Sequence, residues 1–196
     1  MKLLVSVYQK LKNTINRLKS FRISIHREFF YEHNLEALVT IPKPDPGLSI
    51  KTLSPSDIAL LHHVWPVDLD QVKSRLQDGH SECYLCYSHD ELVGYYWVQF
   101  QGKHFIRPTN SNVMLHEGDE FMIYHIRVAN EYQGRGINKY MLNMILMNYK
   151  QKGFSKGLIY TSSQNIANQK GMNKLGFRKY KEYLSLRIGN FFLPLG

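Results

Sequence analysis

The stretch Phe121-Met-Ile-Tyr-His-Ile-Arg-Val128, followed by Ala129-Asn-Glu-Tyr132 and then Gln133-Gly-Arg-Gly-Ile-Asn138, decides how this chain is read. An apolar strand runs into a polar turn, then a loop with two glycines, then the apolar-rich run from Lys139 to Tyr149. The order is strand, glycine loop, helix. Gly134 and Gly136 carry no Cβ, so the backbone can approach a ligand closely there. The helix behind them opens with unpaired N–H groups at the positive end of its dipole, which suits a phosphate or pyrophosphate. Lys150 and Lys152 fall in its last turn, and Gly153 stops it.

Spacing excludes two common phosphate loops. There is no Gly-x-x-x-x-Gly-Lys-Ser/Thr run, and the third small residue of a dinucleotide fingerprint is replaced by Lys139. The pattern that fits is Gln/Arg-x-x-Gly-x-Gly/Ala, read here as Gln133-Gly-Arg-Gly136-Ile-Asn138, with Val128 ending the strand five residues before Gln133. On these residues the sequence resembles the GNAT acetyltransferase superfamily. Tyr132-Gln-Gly-Arg-Gly-Ile137 is close to that family's common Tyr-Arg-Gly-Lys-Gly-Ile, and Asn138 departs from its usual glycine or alanine. Downstream, Lys156-Gly-Leu-Ile-Tyr-Thr161 reads as a buried strand. Asn165 then opens a helical stretch that ends at Lys174-Leu-Gly-Phe177, before a strand from Phe177 to Ile188. The resemblance covers residues 119–187 well and 48–100 loosely.

The resemblance implies an α+β fold: a central, mostly antiparallel sheet flanked by helices. It implies acetyl-CoA as co-substrate and no metal. By the same resemblance, the backbone of Ile126 and Val128 pairs with the pantetheine arm, and an N–H there polarises the thioester carbonyl. The loop Gln133, Gly134, Arg135, Gly136, Ile137 and Asn138 holds the pyrophosphate, and Asn165 positions the pantetheine. The expected reaction is direct attack of an amine on the thioester, with a base to deprotonate the ammonium and an acid for the departing thiolate. The family often places that acid as a tyrosine four residues before the glycine of Leu-Gly-Phe. Met172 stands there instead, leaving Tyr160, Tyr180 or water. The candidate bases are Glu120, Tyr124 and His125. Strict alternation places Glu120, Met122, Tyr124, Ile126 and Val128 on one face, and Phe121, Ile123, His125 and Arg127 on the other. His125 has the ordinary pKa nearest neutrality but falls on the second face.

Composition sets the outer limits. The chain has 196 residues, 43% of them hydrophobic, and a formal charge of +9. That length suits one domain with an appendage, and that charge favours anionic partners, of which a phosphate-rich co-substrate is one. No helix-turn-helix or RNA-stacking pattern is present, so nucleic acid is not an expected partner. No apolar run approaches the ~18 residues of a membrane span. Cys83 and Cys86 lie in one strand with their side chains on opposite faces, without the second ligand pair a zinc site needs, and read as free thiols.

Residues 1–45 read as an N-terminal basic arm and linker, and 46–196 as the acyltransferase domain. Leu4, Tyr8, Leu11, Ile15 and Leu18 recur at helical spacing between lysines and arginines, giving a basic amphipathic helix. It could pack on the domain or a partner copy, contact an anionic membrane through residues 1–20, or form a disordered arm. No cleavage site follows, so the expected location is cytoplasmic, with membrane association as a variant. Arg22–Arg27 alternates as a strand, which Phe29–Tyr31 continues, and Ile41–Gly47 is a proline-rich linker. Strands at 48–53, 83–87 and 92–101, and helices at 55–64 and 68–78, precede a polar loop at 104–118 that reads as a substrate lid or a solvated excursion.

The expected function is acetyl transfer from acetyl-CoA to a small-molecule amine, such as an amino sugar or amino acid derivative. Two other readings remain: a domain that binds acyl-CoA without turnover, and a membrane-surface acyltransferase with a longer acyl chain or a carrier-protein donor. A homodimer is left open.

Overall fold

The computed structural model describes residues 23–38, 40–188 and 191–195, and the expected helix of residues 1–20 lies outside them. Strands form where apolar residues alternate or run continuously: β1 (Ile23–Asn34), β2 (Leu48–Thr52), β3 (Ser81–Ser88), β4 (Glu91–Gln99), β7 (Glu120–Val128), β8 (Lys156–Ser162), β9 (Arg178–Ile188) and β10 (Phe191–Pro194). They make one sheet in the order β10-β9-β1-β8-β7-β4-β3-β2. Among the described residues only the β7–β8 pair is parallel.

The helices cover both faces. A 3₁₀ helix (Pro55–His63) and α1 (Leu69–Gln77), capped by the Asp68 carboxylate on two amides, pack Ile58, Leu61 and Val72 on one face. The second and third helices, α2 (Ile137–Gln151) and α3 (Ile166–Lys174), pack Met141, Leu142, Ile145, Leu146, Tyr149 and Met172 on the other. Cys83 and Cys86 are free and buried in these two opposite cores. Among the described residues no helix is long and apolar enough to cross a membrane.

Part of the stretch expected as an arm, the strand β1, lies within the sheet. β1 is an interior strand, antiparallel to β8 on one edge and to β9 on the other. Its side chains explain the placement, because the strand offers a buried aromatic ring to each face of the sheet. Phe30 is fully buried, stacked on Tyr160 at 5.6 Å and edge-on to Tyr183 at 4.9 Å, while Tyr31 enters the core beneath α2. The linker that follows is also held, with the Ile41 N–H donating to Asn143 Oδ1 at 3.1 Å.

The loop expected at 104–118 carries structure of its own: β5 (Lys103–Ile106), a 3₁₀ turn (Arg107–Thr109) and β6 (Ser111–Met114) form a separate hairpin. His104 and Ile106 alternate inward while Lys103 and Phe105 face out, and the Ser185 hydroxyl donates to the Pro108 carbonyl, tying the turn to β9.

Because β1 is a central strand, Phe30→Ala is expected to cost about 3–5 kcal/mol, as for other buried aromatics. Denaturant unfolding measures this; an appended arm would leave the midpoint unchanged.

Candidate active site

β7 and β8 pair only over Glu120–Ile123 against Lys156–Ile159. Beyond those residues the parallel strands part. The cause lies in β7, where three steps from Tyr124 to Arg127 span two steps of β4, from Trp97 to Tyr95. The extra residue makes a bulge, with His125 at φ +46°. Gly94 sits opposite, and a Cβ there would lie 2.8 Å from the Arg127 carbonyl oxygen, so the strand facing the bulge has room only for glycine.

The bulge overturns the strict alternation expected from sequence. Ile126 and Val128 pack on the α2-side core with Phe121 and Ile123, whereas Tyr124 joins the opposite core with Met122. His125 is thereby brought to the cavity that Tyr124 lines, the face from which parity had removed it. The backbone alternates too. Ala129 N–H donates to the Val93 carbonyl on β4, so the backbone groups of Val128 and Ile126 turn away from β4 into the cleft. Their carbonyls are occupied by side chains: Arg127 Nη1 donates to Ile126 O at 2.8 Å, and Gln133 Nε2 donates to Val128 O at 3.2 Å.

Two concavities meet at this opening. The first is a groove of about 530 Å³ lined by Ile126, Val128, the glycine loop, Asn165 and Asn168. Gly134 and Gly136 have φ of +77° and +80°, a region that strains any side-chain-bearing residue. Gly136 is the N-cap of α2 and no side chain caps that helix, so the amides of its first turn face the groove unclaimed by a side chain. Lys139, Lys170 and Lys174 line the same groove, and the Arg135 guanidinium lies over the Tyr132 ring at its edge. Free amides, positive charge and a glycine backbone fit a pyrophosphate. Asn138 accepts from the Tyr96 hydroxyl at 3.0 Å and donates to Asn168 Oδ1 at 3.4 Å, which ties α2 to β4 and α3. Asn165 is the N-cap of α3, accepting from the Asn168 N–H, and lines both concavities.

The second concavity, of about 690 Å³, lies on the far side of Ile126. Tyr124, His125, Tyr160, His104, Arg75, Arg107, Arg127 and Glu28 line it. Glu120, expected as a base, does not. It sits at the other end of β7, buried and paired with Lys156 at 3.0 Å, because the cleft opens only after Ile123. The Tyr124 hydroxyl donates to Ser81 Oγ at 3.3 Å, and burial raises its pKa, so it is a poor base. Burial and the charges of Arg75 and Arg127 lower the pKa of His125, and Arg75 Nη1 at 3.4 Å makes His125 Nδ1 the acceptor nitrogen. His116, Asp119 and Glu120 bring ligand atoms within 4.8 Å of one another, outside both concavities, with the Lys156 ammonium already on Glu120.

Glu28 was missed by the sequence reading, which assigned it to the arm. It lies on β1 opposite Ser162 and Tyr183, is 5% exposed, and has no ion-pair partner among the described residues. Burial raises its carboxyl pKa to about 7. Tyr160, on the adjacent strand, is raised to about 12 by burial and by the Glu28 charge, so it keeps its proton at neutral pH. Met172, at the family's tyrosine position, is fully buried in the α2-side core and reaches neither concavity.

Comparison with known proteins accords with this geometry. Residues 50–177 match the family model described as the acetyltransferase (GNAT) family. Comparison with curated proteins returns no significant match. Among solved structures, a GCN5-related N-acetyltransferase from Sphaerobacter thermophilus aligns at TM-score 0.62 and 14% identity, over 90% of this chain and 56% of its own. A GCN5-related glucosamine N-acetyltransferase region of a fungal multi-domain β-N-acetylglucosaminidase aligns at 0.61 and 14%, over 90% and 22%. A putative GNAT-family acetyltransferase from Novosphingobium aromaticivorans aligns at 0.58 and 13%, over 87% and 67%. The chain therefore spans little more than half of the Sphaerobacter protein and about a fifth of the fungal one. At these identities the likeness is one of fold, while the family model covers most of the chain's length: the protein belongs to the GNAT acetyltransferase family.

Proposed function

We propose that this protein transfers an acetyl group from acetyl-CoA to a primary amine on a small molecule, with Glu28 as general base. The observation that carries this reading is the parting of β7 from β8, which joins an anion-ready groove to a cavity holding a buried, unpaired carboxyl. The groove amides of Gly134–Lys139 and the lysines around them suit the pyrophosphate of acetyl-CoA. The pantetheine arm would then lie along Ile126 and Val128, displacing the Arg127 and Gln133 side chains from those carbonyls.

In this reading Glu28 takes one proton from the ammonium form of the acceptor. The freed nitrogen attacks the thioester carbonyl carbon; the C–N bond forms, and the C–S bond breaks as the tetrahedral intermediate collapses. An N–H in the cleft, at Ile126 or Val128, stabilises the intermediate's oxyanion. The second amine proton ends on the departing sulfur, relayed through the Tyr160 hydroxyl. Tyr124 and His125, the earlier candidates for the base, would instead shape the acceptor cavity, and Glu120 would hold the start of β7 to Lys156.

The first test is calorimetric titration with acetyl-CoA together with CoA release in the presence of amines. Saturable binding and amine-dependent release are expected; no binding would remove the reading. Glu28→Gln is expected to lower kcat by about 10²–10⁴-fold while acetyl-CoA binding stays intact.

In the native protein kcat/KM is expected to rise with pH through about 7, where Glu28 loses its proton. The cavity histidines cannot supply that limb, because burial and Arg75 hold His104 near 4 and His125 is also lowered. The same group affects stability. Its folded pKa, about 7, exceeds its ordinary 4.5, so the folded state keeps a proton that the unfolded state releases. Stability is then greatest below about pH 4.5, falls as pH rises to about 7, and levels off above. Glu28→Gln should therefore melt higher than the native protein near pH 8, by roughly 1–2 kcal/mol, with the difference vanishing near pH 4.

A further inference from the structure

The acceptor cavity is lined by two chemically distinct sets of groups. In the first, Glu28 has its pKa raised by burial alone. His104 also lines the cavity and is 5% exposed. The Gln99 amide is oriented by its Nε2 donating to the Gln101 carbonyl at 2.9 Å, so Gln99 Oε1 must accept from His104 Nδ1–H at 2.8 Å. The remaining nitrogen, His104 Nε2, therefore carries a lone pair, and it is buried without a partner. A carboxyl and an unmet acceptor together ask for N–H donors.

The second set is three guanidinium groups, Arg75, Arg107 and Arg127, with Arg75 close enough to His104 to lower its pKa. Among the described residues none of them has a carboxylate within ion-pair distance. Arg75 is steadied by Gln71 Oε1 at 2.9 Å and by the faces of Trp97 and Tyr124, and Arg127 lies over Trp65. After burial, all three charges lower the pKa of His125, so each lies within electrostatic reach of it. Asp78, the other acidic residue lining the cavity, accepts from the His80 N–H instead of from an arginine.

We propose that the acceptor is an amine bearing its own acidic group, a carboxylate or a phosphate, with the nitrogen held at Glu28 and His104 Nε2 and the acid seated among Arg75, Arg107 and Arg127. This rests on the acyl-transfer reading for the role of the amine, but the binding it describes does not depend on turnover. Charge-assisted bonds to a guanidinium group are among the stronger contacts available to a small ligand, so masking the acid should be costly.

The test is titration calorimetry on the full chain with CoA present, using matched pairs. The common α-amino acids are compared with their amides, and glucosamine 6-phosphate with glucosamine, so that the carboxylate and phosphate arms are read separately. An acid-bearing member of one arm is expected to bind about 10- to 100-fold more tightly than its neutral partner. Arg107→Ala and Arg107→Gln should weaken the acid-bearing member and leave its neutral partner unchanged. His104→Gln, which offers a different acceptor geometry, should weaken both members alike. If no acid-bearing member outbinds its neutral partner, or if the arginine variants weaken both members equally, the proposal is wrong. Selective binding without CoA release would uphold this assignment and overturn the acetyl-transfer reading instead.

Discussion

The bulge in β7 at His125 is the constraint on which the rest of the site depends. One extra residue, accommodated by a positive φ and by the missing side chain at Gly94, bends the strand away from β8. Without it β7 and β8 would continue their parallel ladder to the end, and the sheet would be closed where the two concavities now meet. The same residue reverses the parity of everything after it. Ile126 and Val128 turn their side chains to the α2 core and their backbone to the cleft, while Tyr124 and His125 come to border one cavity.

An opening in the middle of a sheet exposes backbone groups, and the protein answers this locally. Arg127 and Gln133 cap the carbonyls of Ile126 and Val128 with their own side chains. These are exchangeable bonds, made by flexible groups at the cleft, and an extended ligand with amides can replace them at little net loss. Asn138 has a different task. Glycine or alanine at this position would lose both of its bonds, whereas Asn138 links Tyr96 on β4 to Asn168 on α3 across the groove.

The electrostatics follow from topology. β1 lies between β8 and β9, so a carboxylate on it is carried into the sheet interior, with aromatic rings of Tyr160, Phe30 and Tyr183 nearby. Removed from water and unpaired, it is driven toward its protonated form until its pKa meets the physiological range. Glu120, two strands over on β7, has a lysine at 3.0 Å and belongs to the framework. Two buried glutamates thus differ in their surroundings: Glu120 has a cation beside it, and among the described residues Glu28 has none.

The sequence by itself determined the local pieces. The glycine loop between Val128 and α2, the Asn165 cap, the stop at Gly176 and the opposed burial of Cys83 and Cys86 all rest on neighbours a few residues apart, where backbone freedom, capping and periodicity act. The mostly antiparallel sheet and the family were legible from the same motifs. What only the tertiary structure decided is the partnering of distant segments. Nothing near Glu28 in the chain announces that its strand inserts between β8 and β9, since that depends on apolar faces more than a hundred residues away. The bulge escaped strict alternation because its signal, a glycine on β4, lies on another strand. Met172 was read as a vacant acid position, but it is a core residue, because the turn of α3 that carries it faces the sheet. Local rules fix which elements form; the burial of Glu28 and the shape of the cavity around it come from which elements meet.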